Sequence, residues 1–405
     1  MKRSFILLFV LLFLAVPAFC QKFTFNHNKK RDAIHFKLIH NLVIIPVTIN
    51  NDGPFNFILD SGVGPMIITD PLLVDSLQRN DLAIFKIRGR GVGPALEAYV
   101  INDLSVLVGK SSSKGLSVVL LKNDPFQLSA YLSIPVHGII GSDFFKSFIV
   151  KLNYFNKKMQ FYDPKVSIRR KGERIPIELI KDKPYMDVLV KTENEVTDSL
   201  LLLVDSGAGH AISLDLTGEE KEIQPQKTIS ANLGIGLTGP INGLVGRLPE
   251  IKLGNFSFKD VITSFPVYED LDLHLLMTEK DGSIGGEILK RFTVLFNYPK
   301  NEIYLQRNRN FKNPFEHDMS GMEIYKLNEK EYRFFISRID KNSPAEKAQF
   351  LVNDEILSIN FKRVREYSLD DINQLLQKET NGNLIFEILR DDEVLFKLLQ
   401  LKRRI

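Results

Sequence analysis

Phe57-Ile-Leu-Asp-Ser-Gly-Val-Gly64 and Leu202-Leu-Val-Asp-Ser-Gly-Ala-Gly209 are two versions of one segment. Each is an apolar run that ends in Asp-Ser-Gly, and the aspartates Asp60 and Asp205 stand 145 positions apart. Other landmarks repeat at nearly the same distance. Gly138-Ile-Ile-Gly141 returns as Gly282-Ser-Ile-Gly285 after 144 residues, and Leu152-Asn-Tyr154 as Phe296-Asn-Tyr298 after 144. Gly91-Val-Gly93 returns as Gly234-Ile-Gly236 after 143. Four landmarks in one order at near-constant spacing indicate a duplication. Each unit is domain-sized, too long for a solenoid repeat.

Both units read as strands. Leu42–Ile49 is rich in branched residues, Asn50-Asn-Asp-Gly53 is turn chemistry, and Phe55–Leu59 returns into the first Asp-Ser-Gly. Tyr185–Val190, a polar turn at Thr192-Glu-Asn194, and Leu200–Val204 repeat the scheme. Ile101–Val108 and Leu116–Leu121 are further strands broken at Gly109, while Asp143–Phe148 suits a short helix. The expected class is mainly β, with units at residues 21–172 and 173–312.

The composition narrows the chemistry. The chain has 405 residues, 25% charged and 44% hydrophobic, with 53 basic against 49 acidic side chains. Mixed signs without a long basic run do not indicate nucleic acid as a partner. The single cysteine excludes a disulfide framework and any Cys-rich metal site. No HExxH or close histidine pairing suggests a metal, so no cofactor is expected. Gly234-Ile-Gly-Leu-Thr-Gly239 matches the dinucleotide pattern GxGxxG, but no strand–turn–helix unit surrounds it. No Gly-x-Ser-x-Gly occurs at Ser61 or Ser206, which argues against a serine hydrolase.

Residues 1–20 read as a leader. Lys2 and Arg3 precede the apolar run Phe5–Val16, then Pro17 and Ala18-Phe19-Cys20. The run is short for a membrane span and has the order of a cleaved secretory peptide, with cleavage before Gln21. A lipidated Cys20 is the competing reading; Phe19 is bulkier than such a site prefers. The expectation is an exported protein, periplasmic or secreted, with no transmembrane helix in the mature chain.

Taken together, the paired motifs resemble the pepsin/retropepsin aspartic peptidase family, in particular bacterial members with retroviral-type lobes. The resemblance covers about residues 40–310. It implies a two-lobed acid-protease β-barrel fold with Asp60 and Asp205 side by side as catalytic residues. It further implies that Ser61 and Ser206 bond across to the opposite lobe, and that Ile140-Gly141 and Ile284-Gly285 support the active loops. Gly62 and Gly207 let backbone N–H groups approach the carboxylates. The segments with Gly91, Gly93, Gly234 and Gly236 sit where the family has flaps. The chemistry suits the residues: two adjacent carboxylates cannot both ionise easily, share a proton, and act as base and acid on a water molecule. Val63 and Ala208 follow the two triplets where many relatives carry a hydroxyl, so a donor to the ionised carboxylate is missing. Activity is therefore expected at mildly acidic to neutral pH.

Beyond Asn308–Pro314, an apparent linker, the repeat has ended. Phe334–Ile339 is a strand, Ser343 and Pro344 start a short helix, and Asp354–Asn360 is a strand. Ser368–Gln377 is an amphipathic helix, followed by a hairpin turning at Arg390-Asp-Asp392. This order, with Ser343-Pro-Ala-Glu-Lys-Ala348 and Asp354-Glu-Ile-Leu-Ser-Ile-Asn360, resembles a PDZ domain at 320–405. That implies strand addition of a C-terminal peptide, with the carboxylate-binding loop near Tyr332–Phe335. The combined reading is an aspartic endopeptidase acting on peptide or protein substrates, monomeric because both triplets lie in one chain. A non-catalytic peptide-binding protein of the same fold is the alternative.

Overall fold

The structure is a computed structural model that describes residues 22–70, 73, 84–87, 95–124, 127–215, 223–236, 239–267, 281–327, 331–377 and 382–405. The leader at 1–20, Gly91 and Gly93 lie outside the described residues. Among the described residues no helix is long and apolar enough to cross a membrane.

Strands dominate, as the branched, turn-punctuated sequence requires. Leu42–Ile49 and Asp52–Leu59 form a hairpin whose two-residue turn, Asn50 and Asn51, has φ of 49° and 73°. Asparagine tolerates this left-handed pair, which matches the twist of the flanking strands. Asp52–Leu59 then pairs in parallel with the short strand Gly138–Ile140, which is antiparallel to Met66–Ile68 on its other side. The second unit repeats this arrangement. Lys183–Lys191 and Thr197–Val204 form the hairpin, and Thr197–Val204 runs parallel to Gly282–Ile284, which is antiparallel to Ile212–Leu214. Each Asp-Ser-Gly thus leaves a strand whose neighbour begins with the repeated glycine.

Those glycines are required by space. A Cβ on Gly138 would sit 2.2 Å from the Ile67 carbonyl oxygen and 2.4 Å from the Phe57 ring. One on Gly282 would sit 2.0 Å from the Ser213 carbonyl oxygen. The expected helix after Gly141 is present at Ser142–Ser147, and its counterpart is Gly286–Leu289. Two neighbouring strands are longer than the sequence pattern predicts, and Leu96–Val108 begins five residues before Ile101. Ser111–Leu121 begins five residues before the apolar stretch, because Ser111 and Ser113 are buried and Ser111 Oγ donates to the Val108 carbonyl at 2.9 Å.

A second sheet joins the units. Its order is Glu173–Pro176, Glu302–Arg307, Phe292–Asn297, Ile149–Asn153, Lys158–Tyr162, Arg31–His35. The central pair is antiparallel, and Lys151 stands opposite Leu295, its own repeat mate 144 residues on. A local two-fold axis therefore passes through this pair. Val150, Leu152, Val294 and Phe296 belong to one buried core that reaches from Phe23 to Phe315 and draws on both units.

A separate core runs from Met319 to Leu401. Its sheet has the order Met322–Lys326, Phe334–Ile339, Glu355–Ile359, Asn383–Arg390, Glu393–Gln400. Ser343 caps helix Pro344–Lys347, and Ser368 with Asp371 forms a reciprocal capping box on helix Leu369–Leu376.

Gly138→Ala is expected to lower stability by about 1–3 kcal/mol through overpacking against the Ile67 carbonyl. Gly64→Ala, where an added Cβ meets nothing within 4 Å, should change it by about 0.5 kcal/mol or less. Urea midpoints of the two variants check the difference.

Candidate functional site

Backbone bonds fix both Asp-Ser-Gly loops in the same way. The Asp60 N–H donates to the Ile140 carbonyl at 2.9 Å, and the Asp205 N–H to the Ile284 carbonyl at 2.9 Å. Ile140 and Ile284 are fully buried, and the glycines beyond them lie against the loops. A Cβ on Gly141 would be 2.4 Å from the Val63 carbonyl oxygen, and one on Gly285 2.3 Å from that of His210.

The loops then lock to each other across the two-fold axis. Ser61 Oγ accepts from the Ser206 N–H at 3.0 Å and donates to the Val204 carbonyl at 2.6 Å. Ser206 Oγ accepts from the Ser61 N–H at 3.0 Å and donates to the Leu59 carbonyl at 2.8 Å. Both serines are fully buried. Each carboxylate accepts from the glycine two residues on, Asp60 from Gly62 at 2.6 Å and Asp205 from Gly207 at 2.9 Å. Each also lies against the other loop. A Cβ on Gly207 would be 2.1 Å from Asp60 Cγ, and one on Gly62 3.0 Å from Asp205 Cγ. At Gly207 only glycine admits that approach, and at Gly62 a Cβ would be a tight contact.

The Asp60 and Asp205 side chains face each other across the axis, each against the glycine of the other loop. Burial, and next the charge of Asp205, push the Asp60 carboxyl well above the usual carboxylate range; the Gly62 N–H and the charge of Lys183 oppose this. Val63 and Ala208 offer no hydroxyl to either carboxylate.

Two tyrosines near the pair escaped the sequence reading of function. Tyr154 and Tyr298, in the repeated apolar-Asn-Tyr landmark, are buried with hydroxyls that have no hydrogen-bond partner. Burial raises both hydroxyl pKa values, with further contributions from Asp205 on Tyr154 and from Asp60 and Asp205 on Tyr298. Their repetition was the available signal.

A reciprocal latch also went unread. Asn41 Nδ2 reaches from the first unit to the Gly209 carbonyl at 2.8 Å and Glu287 at 3.0 Å, while Lys290 donates to Asn41 Oδ1 at 3.0 Å. On the other side of the axis, Lys146 donates to Asp182 at 2.9 Å. Asp143 and Glu287 open the two short helices but make no cap. Gly141 and Gly285 hold the cap positions without side-chain bonds; Asp143 pairs with Lys146 at 3.2 Å, and Glu287 with Arg291 at 3.0 Å.

Gly234 and Gly236 lie in strand Thr228–Gly236, which pairs with Gly239–Leu253 in a long hairpin. A bulge separates Asn232 from Gly234, whose φ is 120°. The GxGxxG match therefore straddles a hairpin without a following helix. His210 Nε2 lies 3.0 Å from Ser283 Oγ, and the His137 ring packs on Phe55. Among the described residues no cluster of three His, Cys, Asp or Glu is placed to hold a metal.

In the C-terminal module, Phe334 and Phe335 lie in a central strand paired on both sides. They cannot serve as the expected carboxylate loop, because their backbone groups belong to ladders. The edge strand is Met322–Lys326, which lies beside helix Leu369–Leu376. The family described as PDZ domain matches residues 335–390. This module is a PDZ domain. No curated protein matches the chain. PDZ domains bind peptides, commonly by strand addition. In this PDZ domain the N–H groups before the edge strand are already taken. Ser320 N–H and Gly321 N–H donate to the Asp318 carboxylate at 3.1 and 2.6 Å, and Met322 N–H to Ser320 Oγ at 3.1 Å.

Ser61→Ala removes the acceptor of one buried N–H and the donor to one buried carbonyl. It is expected to cost about 2–4 kcal/mol, read as a lower urea midpoint. The raised Asp60 carboxyl has the opposite consequence. The folded state holds its proton to higher pH than the unfolded chain does, so this group's contribution to stability declines as pH rises above the ordinary aspartate range. Asp60→Asn should therefore raise the melting temperature at pH 7 and raise it less at about pH 4.

Proposed function

We propose that the chain is an exported aspartic endopeptidase with a two-lobed, pepsin/retropepsin-like fold and an attached PDZ domain. The observation that carries this reading is the contact between Asp60 and Asp205, each projecting onto the glycine of the other's loop. Ser61 and Ser206 hold the geometry and do not touch the reacting atoms. A water between the two carboxyls would be deprotonated by the ionised one as it attacks the peptide carbonyl. The protonated one donates toward the carbonyl oxygen, and a proton then passes to the leaving nitrogen. The raised Asp60 carboxyl suits the acid in the first step. The hairpin Thr228–Gly236 and Gly239–Leu253 serves as the flap of the second lobe. Export rests on the leader pattern at residues 1–20.

The PDZ domain takes part by binding peptide along Met322–Lys326. The occupied N–H groups of Ser320, Gly321 and Met322 favour an internal extended segment over a chain end, which revises the C-terminal ligand implied by the sequence.

Asp60→Asn and Asp205→Asn should each lower peptide hydrolysis by about 100-fold or more, with the wild type most active at mildly acidic to neutral pH. A folded wild type that cleaves nothing in a broad peptide library would leave the non-catalytic binding reading. An optimum below about pH 3 would contradict the raised carboxyl. Peptides that bind the PDZ domain should bind equally well with an amidated or a free C-terminus, as titration calorimetry can measure.

A further inference from the structure

The last strand, Glu393–Gln400, lies at the other edge of the PDZ sheet. Asn383–Arg390 pairs with one side of it, and no described strand pairs with the other. Alternation sends Val394, Phe396 and Leu398 to the outer face, where they are 51%, 64% and 58% exposed. Leu395, Lys397 and Leu399 stand opposite Ile388, Phe386 and Leu384, on the face of the module's core. Scattered exposed apolar residues are ordinary, but three on one face of an unpaired edge form a template for strand addition.

The charges on the strand indicate what would add. Glu393 and Lys397 are its only charged residues, and neither has an ion-pair partner among the described residues. We propose that this edge pairs with the same edge of a second copy, antiparallel about a two-fold axis at Leu395. In that register Glu393 of each copy faces Lys397 of the other, Val394 faces Phe396, and Leu395 faces its own equivalent. Every outer side chain meets an outer one, as a pleated sheet requires. The register centred on Phe396 keeps the faces but places Glu393 opposite Leu399 and Lys397 opposite Leu395, leaving all four charges without partners. Opposite-charge and aromatic–branched pairs are the favourable cross-strand combinations. An unrelated extended segment would gain the apolar contacts without the two reciprocal ion pairs. The pairing leaves Met322–Lys326 at the other edge untouched and leaves one Asp60–Asp205 pair per chain, so it is independent of the peptidase reading.

One strand edge is a small interface, so association is expected in the micromolar range. Sedimentation velocity of the chain downstream of residue 20, at about 1 to 100 μM and low salt, should show a monomer giving way to a dimer. Lys397→Glu should keep the chain monomeric across that range, because each Glu393 then faces a glutamate. The double exchange Glu393→Lys with Lys397→Glu should restore the dimer, since the reciprocal pairs return with signs reversed. Phe396→Asp, on the solvent face and away from the core, should also give a monomer, and an unchanged melting curve for each variant at the lowest concentration checks the fold. A wild type that stays monomeric at the highest concentration would overturn the proposal. So would a dimer that survives Lys397→Glu, or a double exchange that fails to restore it.

Discussion

Two serine hydroxyls hold the centre of this molecule. Ser61 and Ser206 each accept from the backbone of the opposite loop and donate to the strand that precedes it. Four bonds thus cross the axis within a fully buried site. A buried N–H or carbonyl left alone is costly, so neither loop can leave without stranding groups of the other. The closeness of Asp60 and Asp205 follows from that bond pattern. Two like-charged groups repel, and their contact persists because the backbone beneath them is bonded across the axis.

The surrounding structure serves that constraint in layers. The threaded strands Gly138–Ile140 and Gly282–Ile284 carry the carbonyls that receive the two aspartate N–H groups. The six-stranded sheet joins the units, with Lys151 facing its repeat mate Leu295. At the periphery, Asn41 and Asp182 tie each unit to the short helix of the other through Lys290 and Lys146. Symmetry is closest where the axis passes and loosens outward. The latch is an amide on one side and a carboxylate on the other.

What could be read from the sequence follows the same gradient. The duplication, the Asp-Ser-Gly strands and the glycines that bracket Gly138–Gly141 and Gly282–Gly285 were legible because close packing leaves the glycine positions one residue type. Gly138 is an example, with a carbonyl oxygen 2.2 Å from where its Cβ would be. The latch was illegible, because a surface asparagine in a turn has many ordinary explanations and its partner is 246 residues away at Glu287. Strand Ser111–Leu121 began early because its first residues are held by side-chain bonds in place of apolar burial. The carboxylate loop does not lie near Tyr332–Phe335, because Phe334 and Phe335 lie centrally in their sheet, and no glycine marks a loop there. Asp318, whose carboxylate fills the N–H groups ahead of the true edge, lies between the linker and the module and carries no motif.

The two cores meet through the hairpin of Thr228–Gly236 and Gly239–Leu253. Arg247, on strand Gly239–Leu253, donates to the Asp260 side chain at 3.2 Å, to the Phe315 carbonyl at 3.1 Å and to the Ile405 carbonyl at 3.2 Å. Arg403, beyond the last PDZ strand, also pairs with Asp260. Glu323, on the PDZ edge strand, pairs with Arg338 at 3.2 Å. The strand that starts at the hairpin tip, Gly239, therefore carries at Arg247 the anchor of the C-terminal module. A strand in a sheet transmits displacement along its length better than a loop does, because its ladder bonds resist local bending. The PDZ domain is thus tied through Arg247 to strand Gly239–Leu253 of the second unit.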